Sequence, residues 1–407
     1  MSSPVLNQAA SVLKLVQAGT PADQALRDSL TQDRHFTDPA GRRAVSRAVF
    51  AYFRWLRWLN SKDSRQKQLE AALALQERFD RNPASVKPEA LAARAVPDWF
   101  AAEIPWPEVG TVAPNRPDTP ASSQTRAVEG NRPYPSELAC LRQFQREPAL
   151  WIRTKSGSGE SVAKRLGNCL PPETPDPRPQ PSSFRYVGTK DLYRTPEFQG
   201  GEFEIQDLAS QLVGHACNPQ PGETWWDACA GEGGKTMHLS DLMQNKGLIW
   251  ASDRSERRLA KLKERAARAK VFNLRVAPWD GGPRLPTKAK FDGILVDAPC
   301  SGVGTWQRNP HARWTTQPKD VRELAAVQAR LLQQAASSLK PGGRLVYAVC
   351  TLTRAETTAV AGAFTSAHPE FLAISPDPGS QTPDPVILWP QELNANGMFI
   401  AVWRRKP

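Results

Sequence analysis

Cysteine is scarce in this chain: six in 407 residues, none in a CxxC pair. Spacing that wide offers neither a disulfide framework nor a structural zinc site. Reduced thiols, a cytoplasmic setting and no metal are therefore the expectation. No apolar run approaches the ~18 residues of a membrane span, so a membrane partner is not expected. The opening MSSPVLNQAASVLKLVQAG lacks the basic stretch and long apolar core of a secretory signal and reads as the start of an amphipathic helix. Acidic side chains are in deficit, 41 against 53 Lys and Arg, which leaves a formal charge of +12. That excess favours a polyanionic partner. The length exceeds one ordinary domain, and two or three units are the natural division.

Residues 4 to 94 read as helical. Val5, Leu6, Ala9, Val12, Leu13 and Val16 recur at helical steps, and Thr20-Pro21 offers a cap and first-turn proline for a second helix. From Ala40 to Leu59, arginines 42, 43, 47, 54 and 57 are interleaved with apolar positions, as in a packed helix with a solvated basic side. Residues 105 to 134, rich in Pro, Ser, Thr, Asn and Arg, read as a loop or linker. Between 135 and 200, Leu150-Trp151-Ile152-Arg153 and Phe184-Arg185-Tyr186-Val187 resemble short strands. Their basic and aromatic residues suit single-stranded RNA or simply a small β core.

Past Glu202 strands and helices alternate. Strands are expected over 224–229, 247–253, 274–276, 291–297 and 344–350, with two more near 371–374 and 398–403. A long helix should run from Pro318 to Leu339, stopped by Lys340-Pro341-Gly342-Gly343. Such alternation specifies a mostly parallel α/β sheet with its ligand beyond the carboxyl ends of the strands, where Asp227, Asp253, Asp297 and Cys350 fall. The turn DACAGEGGKT carries Gly231, Gly233 and Gly234, which let the backbone approach a ligand closely. GGKT resembles the tail of a P-loop, but GxxxxGK[ST] demands glycine where Cys229 stands. A nucleoside cofactor without a triphosphate fits better. Asp253 would then accept from ribose hydroxyls, or cap the helix begun by ASDRSE; Asp280 could reach adenine or serve as a turn residue.

Cys300, in Asp297-Ala298-Pro299-Cys300, and Cys350, in Ala348-Val349-Cys350-Thr351, both leave strands at this edge. A lone strand cysteine is more often a small buried hydrophobe than a nucleophile. The pair, beside an aspartate and a cofactor loop, points to covalent catalysis. Cytosine C5 is too electron-poor to attack a methyl sulfonium, and adding a thiolate to C6 makes C5 nucleophilic. A second thiol can serve the release step.

The segments PEFQGGEFEIQDLASQLV, DACAGEGGKT, FDGILVDAPCSGVGTWQRNP and KPGGRLVYAVCTLTRAE resemble the Sun/Fmu (RsmB-type) family of RNA 5-methylcytosine methyltransferases over roughly residues 195 to 365. The amino-terminal helices resemble the NusB-type RNA-binding domain. The resemblance implies a Rossmann-like S-adenosylmethionine-dependent methyltransferase domain at 201–407. It would be preceded by an all-α NusB-like domain at 1–95, a linker at 96–134 and a small α+β RNA-binding subdomain at 135–200. It makes Cys350 the nucleophile, Cys300 the residue assisting release, and Asp297 a contact to the base and methyl donor. Cys229, Ala230, Gly231, Glu232, Gly233, Gly234 and Lys235 would line the cofactor, with Asp253 on ribose and Asp280 near adenine. Arg308 and Asn309 become candidates for RNA contact. The implied partner is RNA, ribosomal before transfer RNA, bound by a monomer. The sequence departs from the family's CAAPGGKT at Gly231-Glu232, and from its TCS with following Glu and Asn at Val349-Cys350-Thr351, Glu356 and Thr357. A Pro-Cys dipeptide also marks DNA cytosine methyltransferases, where Cys300 would attack instead. A noncatalytic ribosome-assembly factor retaining the fold is the other alternative.

Overall fold

Apolar residues at helical spacing place Leu6, Ala9, Val12 and Leu13 on one buried face of the helix Ser3–Gln17. The computed structural model describes residues 3–32, 38–106, 135–173, 182–377 and 382–407. The chain divides into two compact units, Met1–Glu147 with Asn309–Thr315, and Pro148–Arg308 with Thr316–Pro407.

The first unit is helical. Ala22–Gln32, Pro39–Arg54 and Arg65–Arg81 follow the opening helix. Asp38 and Ser64 cap two of them by accepting from Gly41 N and Lys67 N. The arginines of the third helix are not a uniformly solvated side. Arg54 is buried, donating to Gln76 Oε1 at 2.8 Å, while Trp55 Nε1 donates to the same oxygen at 3.0 Å. Burial lowers the Arg54 pKa to about 10. Arg47 pairs with Asp80 and Glu147, and Arg57 with Asp98. Of the expected linker, Phe100 and Ile104 are buried in this unit's core, and Phe100 meets Phe144 edge to face. Residues 107–134 lie outside the described residues. The helix Pro135–Gln145 also belongs here, so the chain's division falls after Glu147 rather than at 134.

The second unit opens with a four-stranded antiparallel sheet: β1 (Leu150–Thr154), β2 (Cys169–Leu170), β3 (Ser183–Tyr186) and β4 (Phe203–Ile205), in the order β2-β3-β1-β4. The helix Gly159–Leu166 supplies Val162 and Leu166 to a core with Ile152, Phe184, Tyr186 and Phe203. β4 lies past residue 200, so the small sheet reaches further than its expected boundary.

A larger sheet follows, built from β5 (Thr224–Asp227), β6 (Leu248–Ala251), β7 (Leu274–Val276), β8 (Phe291–Asp297), β9 (Leu339–Val349), β10 (Phe371–Ile374), β11 (Val386–Leu388) and β12 (Met398–Arg405). Its order is β10-β12-β9-β8-β5-β6-β7, with β11 on β12. β9, β8, β5, β6 and β7 are parallel to their neighbours, while β12 runs antiparallel to β9. Burial on both faces explains Trp225-Trp226: consecutive residues point to opposite faces, and each indole joins a different core. Gly293, paired with Trp225 across β5 and β8, leaves room for that ring, since a Cβ there would lie 2.1 Å from it.

The long helix ends at Ala336, short of Leu339, and Lys340-Pro341-Gly342-Gly343 lies within β9 rather than before it. A register shift against β8 between Phe291 and Gly293 accommodates the extra residues as a bulge, with Gly342 at φ +76°.

Candidate active site

Four parallel strands, β9, β8, β5 and β6, bring their carboxyl ends to one edge. From β5 the chain builds outward through β6 and β7, then returns to place β8 on the other side of β5. The crevice between β5 and β8 is therefore the topological switch point, where such sheets bind ligands. Asp227 ends β5 and Asp297 ends β8.

Across this edge the half-buried Cys300 and Cys350 thiols lie 3.3 Å apart, sulfur to sulfur. Residues 50 positions apart meet because their loops leave adjacent strands β8 and β9. The two thiols are inequivalent. The hydrogen bond with Cys300 holds Cys350 below the usual thiol pKa; burial and Asp297 oppose this, and the Lys235 ammonium assists. The same hydrogen bond and burial push Cys300 well above it, with the Cys350 and Glu356 charges adding to the rise. Cys350 is the readier thiolate.

Lys235 was expected only as part of the cofactor loop. Its Nζ donates to Asp297 Oδ2 at 2.7 Å, in a pair that is largely buried. Burial opposes the ammonium charge, but Asp297 outweighs it and the Lys235 pKa rises. The ion pair holds Asp297 in place, and the Lys235 charge offsets part of the carboxylate's opposition to a thiolate at Cys350.

The cofactor loop runs from β5 into the helix Gly234–Leu242. Ala230 N donates to Ser252 O and Gly233 N to Ala230 O, closing the turn. Gly231 has φ +55° with open space where its Cβ would stand, and Glu232 is exposed, so neither departure from the family pattern fills the loop. At Gly233 the backbone has φ +84°, and a Cβ would stand 2.6 Å from the Leu262 side chain, which leaves room only for glycine. Burial pushes Cys229 well above its ordinary pKa, leaving a neutral thiol under the loop. Asp253 Oδ2 accepts from Gly231 N at 3.0 Å and its Oδ1 from Ser255 N at 2.8 Å. Ser255, not Asp253, caps the helix Glu256–Arg268 by accepting from Arg258 N. Asp280 accepts from Gly282 N at 2.8 Å, a turn-stabilising bond.

Asp227 is buried beneath the loop. Thr236 Oγ1 donates to its Oδ2 at 2.7 Å, while Oδ1 is buried with no hydrogen-bond partner. Burial raises its pKa to about 7. Two carboxylates, Asp253 and Asp297, and a third acidic group, Asp227, that ionises only near neutrality thus accompany a glycine loop whose lysine is already paired. This donor set repels a triphosphate and suits a nucleoside bearing positive charge.

Arg308 is exposed, and its charge reaches Asp207, the cap of the helix Leu208–Cys217. Asn309 begins the segment assigned to the helical unit, with its Oδ1 buried and unpartnered. In that segment Arg313 is buried, donating to Ala95 O at 2.7 Å and Phe144 O at 2.8 Å.

Sequence reading missed the partners of Glu356. This buried side chain accepts from Ser301 N at 2.8 Å, Gln328 Nε2 at 2.9 Å, Thr351 Oγ1 at 3.0 Å, Thr353 Oγ1 at 2.8 Å and Ser301 Oγ. The only sequence signal was its position shortly after Cys350. Thr357 turns away, donating to Thr353 O at 2.7 Å.

Residues 215–404 match the family described as 16S rRNA methyltransferase RsmB/F. Over these residues the chain is similar to that family. It is an S-adenosylmethionine-dependent methyltransferase family. The probable ribosomal RNA small subunit methyltransferase B of Bacillus subtilis (strain 168) is 41% identical over 176 residues, 43% of this chain and 39% of that protein. The mouse tRNA (cytosine(72)-C(5))-methyltransferase NSUN6 is 38% identical over 186 residues, 41% of this chain and 38% of that protein. The chain spans well under two thirds of these relatives, 39% of the first and 52% of a Synechocystis one. Among solved structures, the crystal structure of PH0851 has a TM-score of 0.74 at 20% identity, covering 100% of this chain and 99% of its own. A methyltransferase homolog from Pyrococcus horikoshii has a TM-score of 0.55 at 26% identity, covering 67% and 91%. These likenesses establish the Rossmann-like methyltransferase fold.

Proposed function

We propose that the chain is an S-adenosylmethionine-dependent RNA (cytosine-5)-methyltransferase acting on small-subunit ribosomal RNA. The observation that carries this reading is the pair of thiols 3.3 Å apart beside the Lys235–Asp297 ion pair. The relatives named ribosomal RNA small subunit methyltransferase B favour a ribosomal substrate, and the mouse relative makes transfer RNA the second choice.

The Cys350 thiolate adds to cytosine C6, forming an S–C6 bond and moving the ring electrons to C5. Bound S-adenosylmethionine supplies an electrophilic methyl group. Loss of the C5 proton then expels the Cys350 thiolate and restores the C5–C6 double bond. Cys300, in contact with Cys350, assists this release. Asp297, oriented by Lys235, faces the polar edge of the base. Gly231 to Lys235, Asp253 and Asp280 would hold the donor. Arg308 and Asn309 contact RNA, as do the small sheet of residues 150–205 and the helical unit.

The test is methyl transfer to total RNA, with sites mapped by bisulfite sequencing. Cys350→Ala should lose about 1,000-fold or more in rate. Cys300→Ala should accumulate a covalent protein–RNA adduct. Full activity in Cys350→Ala would overturn the assignment, and mapping separates ribosomal from transfer RNA.

A further inference from the structure

The residue that follows each active-site cysteine is gripped by one buried side chain. Ser301, next to Cys300, donates both its backbone N and its Oγ to the carboxylate of Glu356; Thr351, next to Cys350, donates its Oγ1. The Ser301 and Thr351 hydroxyls also touch each other at 2.9 Å. On the far side of Cys300, Pro299 O accepts from Gln328 Nε2 at 2.9 Å, and the same amide nitrogen reaches Glu356 Oε1. Tyr347 of β9 donates to Glu356 O at 2.6 Å and to Gln328 Oε1 at 3.0 Å.

We infer that Glu356 is a positioning residue that fixes the separation of the two thiols, holding the Cys300 and Cys350 loops as one unit. Its consequence for catalysis rests on the methyltransferase reading above; its geometry does not. The five donors to the carboxylate are all neutral. An acceptor that must satisfy several donors from separate segments is stiffer than any one of those contacts. A carboxylate buried among neutral groups is costly, and these hydrogen bonds offset that cost. Glu356 also places negative charge near Cys300, reinforcing that thiol's retention of its proton. Its hydrogen bonds go to the residues after the cysteines and to Gln328 and Thr353, so its hold on the thiols' separation passes through the loops.

Substitution chemistry separates geometry from charge. Oε1 of Glu356 receives two N–H donors, from Ser301 and Gln328, whereas Oε2 receives three hydroxyls. In Glu356→Gln the amide oxygen can keep the N–H donors, and two of the three hydroxyls can rotate to accept from the two hydrogens of the new amide. Glu356→Ala removes the acceptor they share, leaving Gln328 Nε2 its bond to Pro299 O and the Ser301 and Thr351 hydroxyls each other.

The spacing of the thiols can be read without RNA. Under diamide the two thiols lose two electrons and two protons and form an S–S bond, while diamide becomes the corresponding hydrazine. The rate of this closure measures the effective concentration of one thiol at the other. In the full chain, with folding checked by circular dichroism, Glu356→Ala should slow closure about tenfold or more. It should lower kcat for RNA methylation by a similar factor, with little change in KM. Glu356→Gln should stay within about threefold of the parent in both. Should Glu356→Ala not fold, the double variant Ser301→Ala/Thr351→Ala is measured instead, and slower closure there supports the same conclusion. Closure at the parent rate in the folded variant overturns the inference. Rapid closure in the parent, lost in Glu356→Ala, with no methyl transfer to any RNA, would support the positioning role and count against the methyltransferase reading alone.

Discussion

Gly293 shows how one residue without a side chain determines a core. Its neighbour across the sheet is Trp225, and the indole occupies the space a Cβ would need. A methyl group there must displace a buried ring or separate β5 from β8, the two strands that frame the crevice. Gly293→Ala should therefore cost about 3 kcal/mol of stability, measured by urea denaturation. The cysteines show the same dependence on neighbours. Nothing in either local sequence makes Cys350 the readier thiolate; the asymmetry comes from Cys300, Lys235 and Glu356 around them.

At the scale of the element, the loop from β5 into the helix Gly234–Leu242 carries a buried charge problem. Asp227, raised to about 7 from the ordinary 3.8, retains its proton in the folded protein where the unfolded chain has lost it. The folded state thus binds more protons across that window, and stability falls as pH rises from 3.8 toward 7. A cation bound over the loop favours the ionised form. Affinity for S-adenosylmethionine should accordingly strengthen as pH rises through about 7, by up to about tenfold per pH unit below it. Calorimetric titration across pH checks this. Asp227→Asn should flatten the dependence and weaken binding. Above pH 7 it should leave the cofactor-free protein equally or more stable, because Thr236 can still donate to the amide oxygen.

The loop and its strands were legible because their signals are local. Each apolar run, the glycines at 231, 233 and 234, and each aspartate at its strand's end can be read from a few neighbouring residues. The helix end near 336 and the bulge at 340–343 were not, because β8 decides where β9 begins to pair. Asp253 and Ser255 divided their roles by a turn geometry that the segment ASDRSE leaves open.

The formal charge of +12 belongs to the whole molecule, but its arginines are not equivalent. Arg54 and Arg313 are buried and spent on side-chain and backbone acceptors. Arg308 is exposed in the loop after Cys300. RNA affinity should fall steeply with salt, and Arg308→Ala should reduce the slope of log Kd against log salt by about 0.7 to 1. Arg313→Ala should leave that slope unchanged while lowering the melting temperature, which filter binding and thermal unfolding would separate. No described helix is long and apolar enough to cross a membrane.

By itself the sequence determined the strand grammar, the glycine loop, the acidic strand ends and the presence of two cysteines near one sheet edge. Those features follow from periodicity and from neighbours along the chain. Only the tertiary structure decided that the thiols touch, that Lys235 neutralises Asp297, and that Glu356 binds both cysteine loops. Each of these joins residues tens of positions apart, except for the short span from Thr351 to Glu356. The physical reason is that hydrogen bonds and charge act over a few ångströms of space, whatever the separation along the chain.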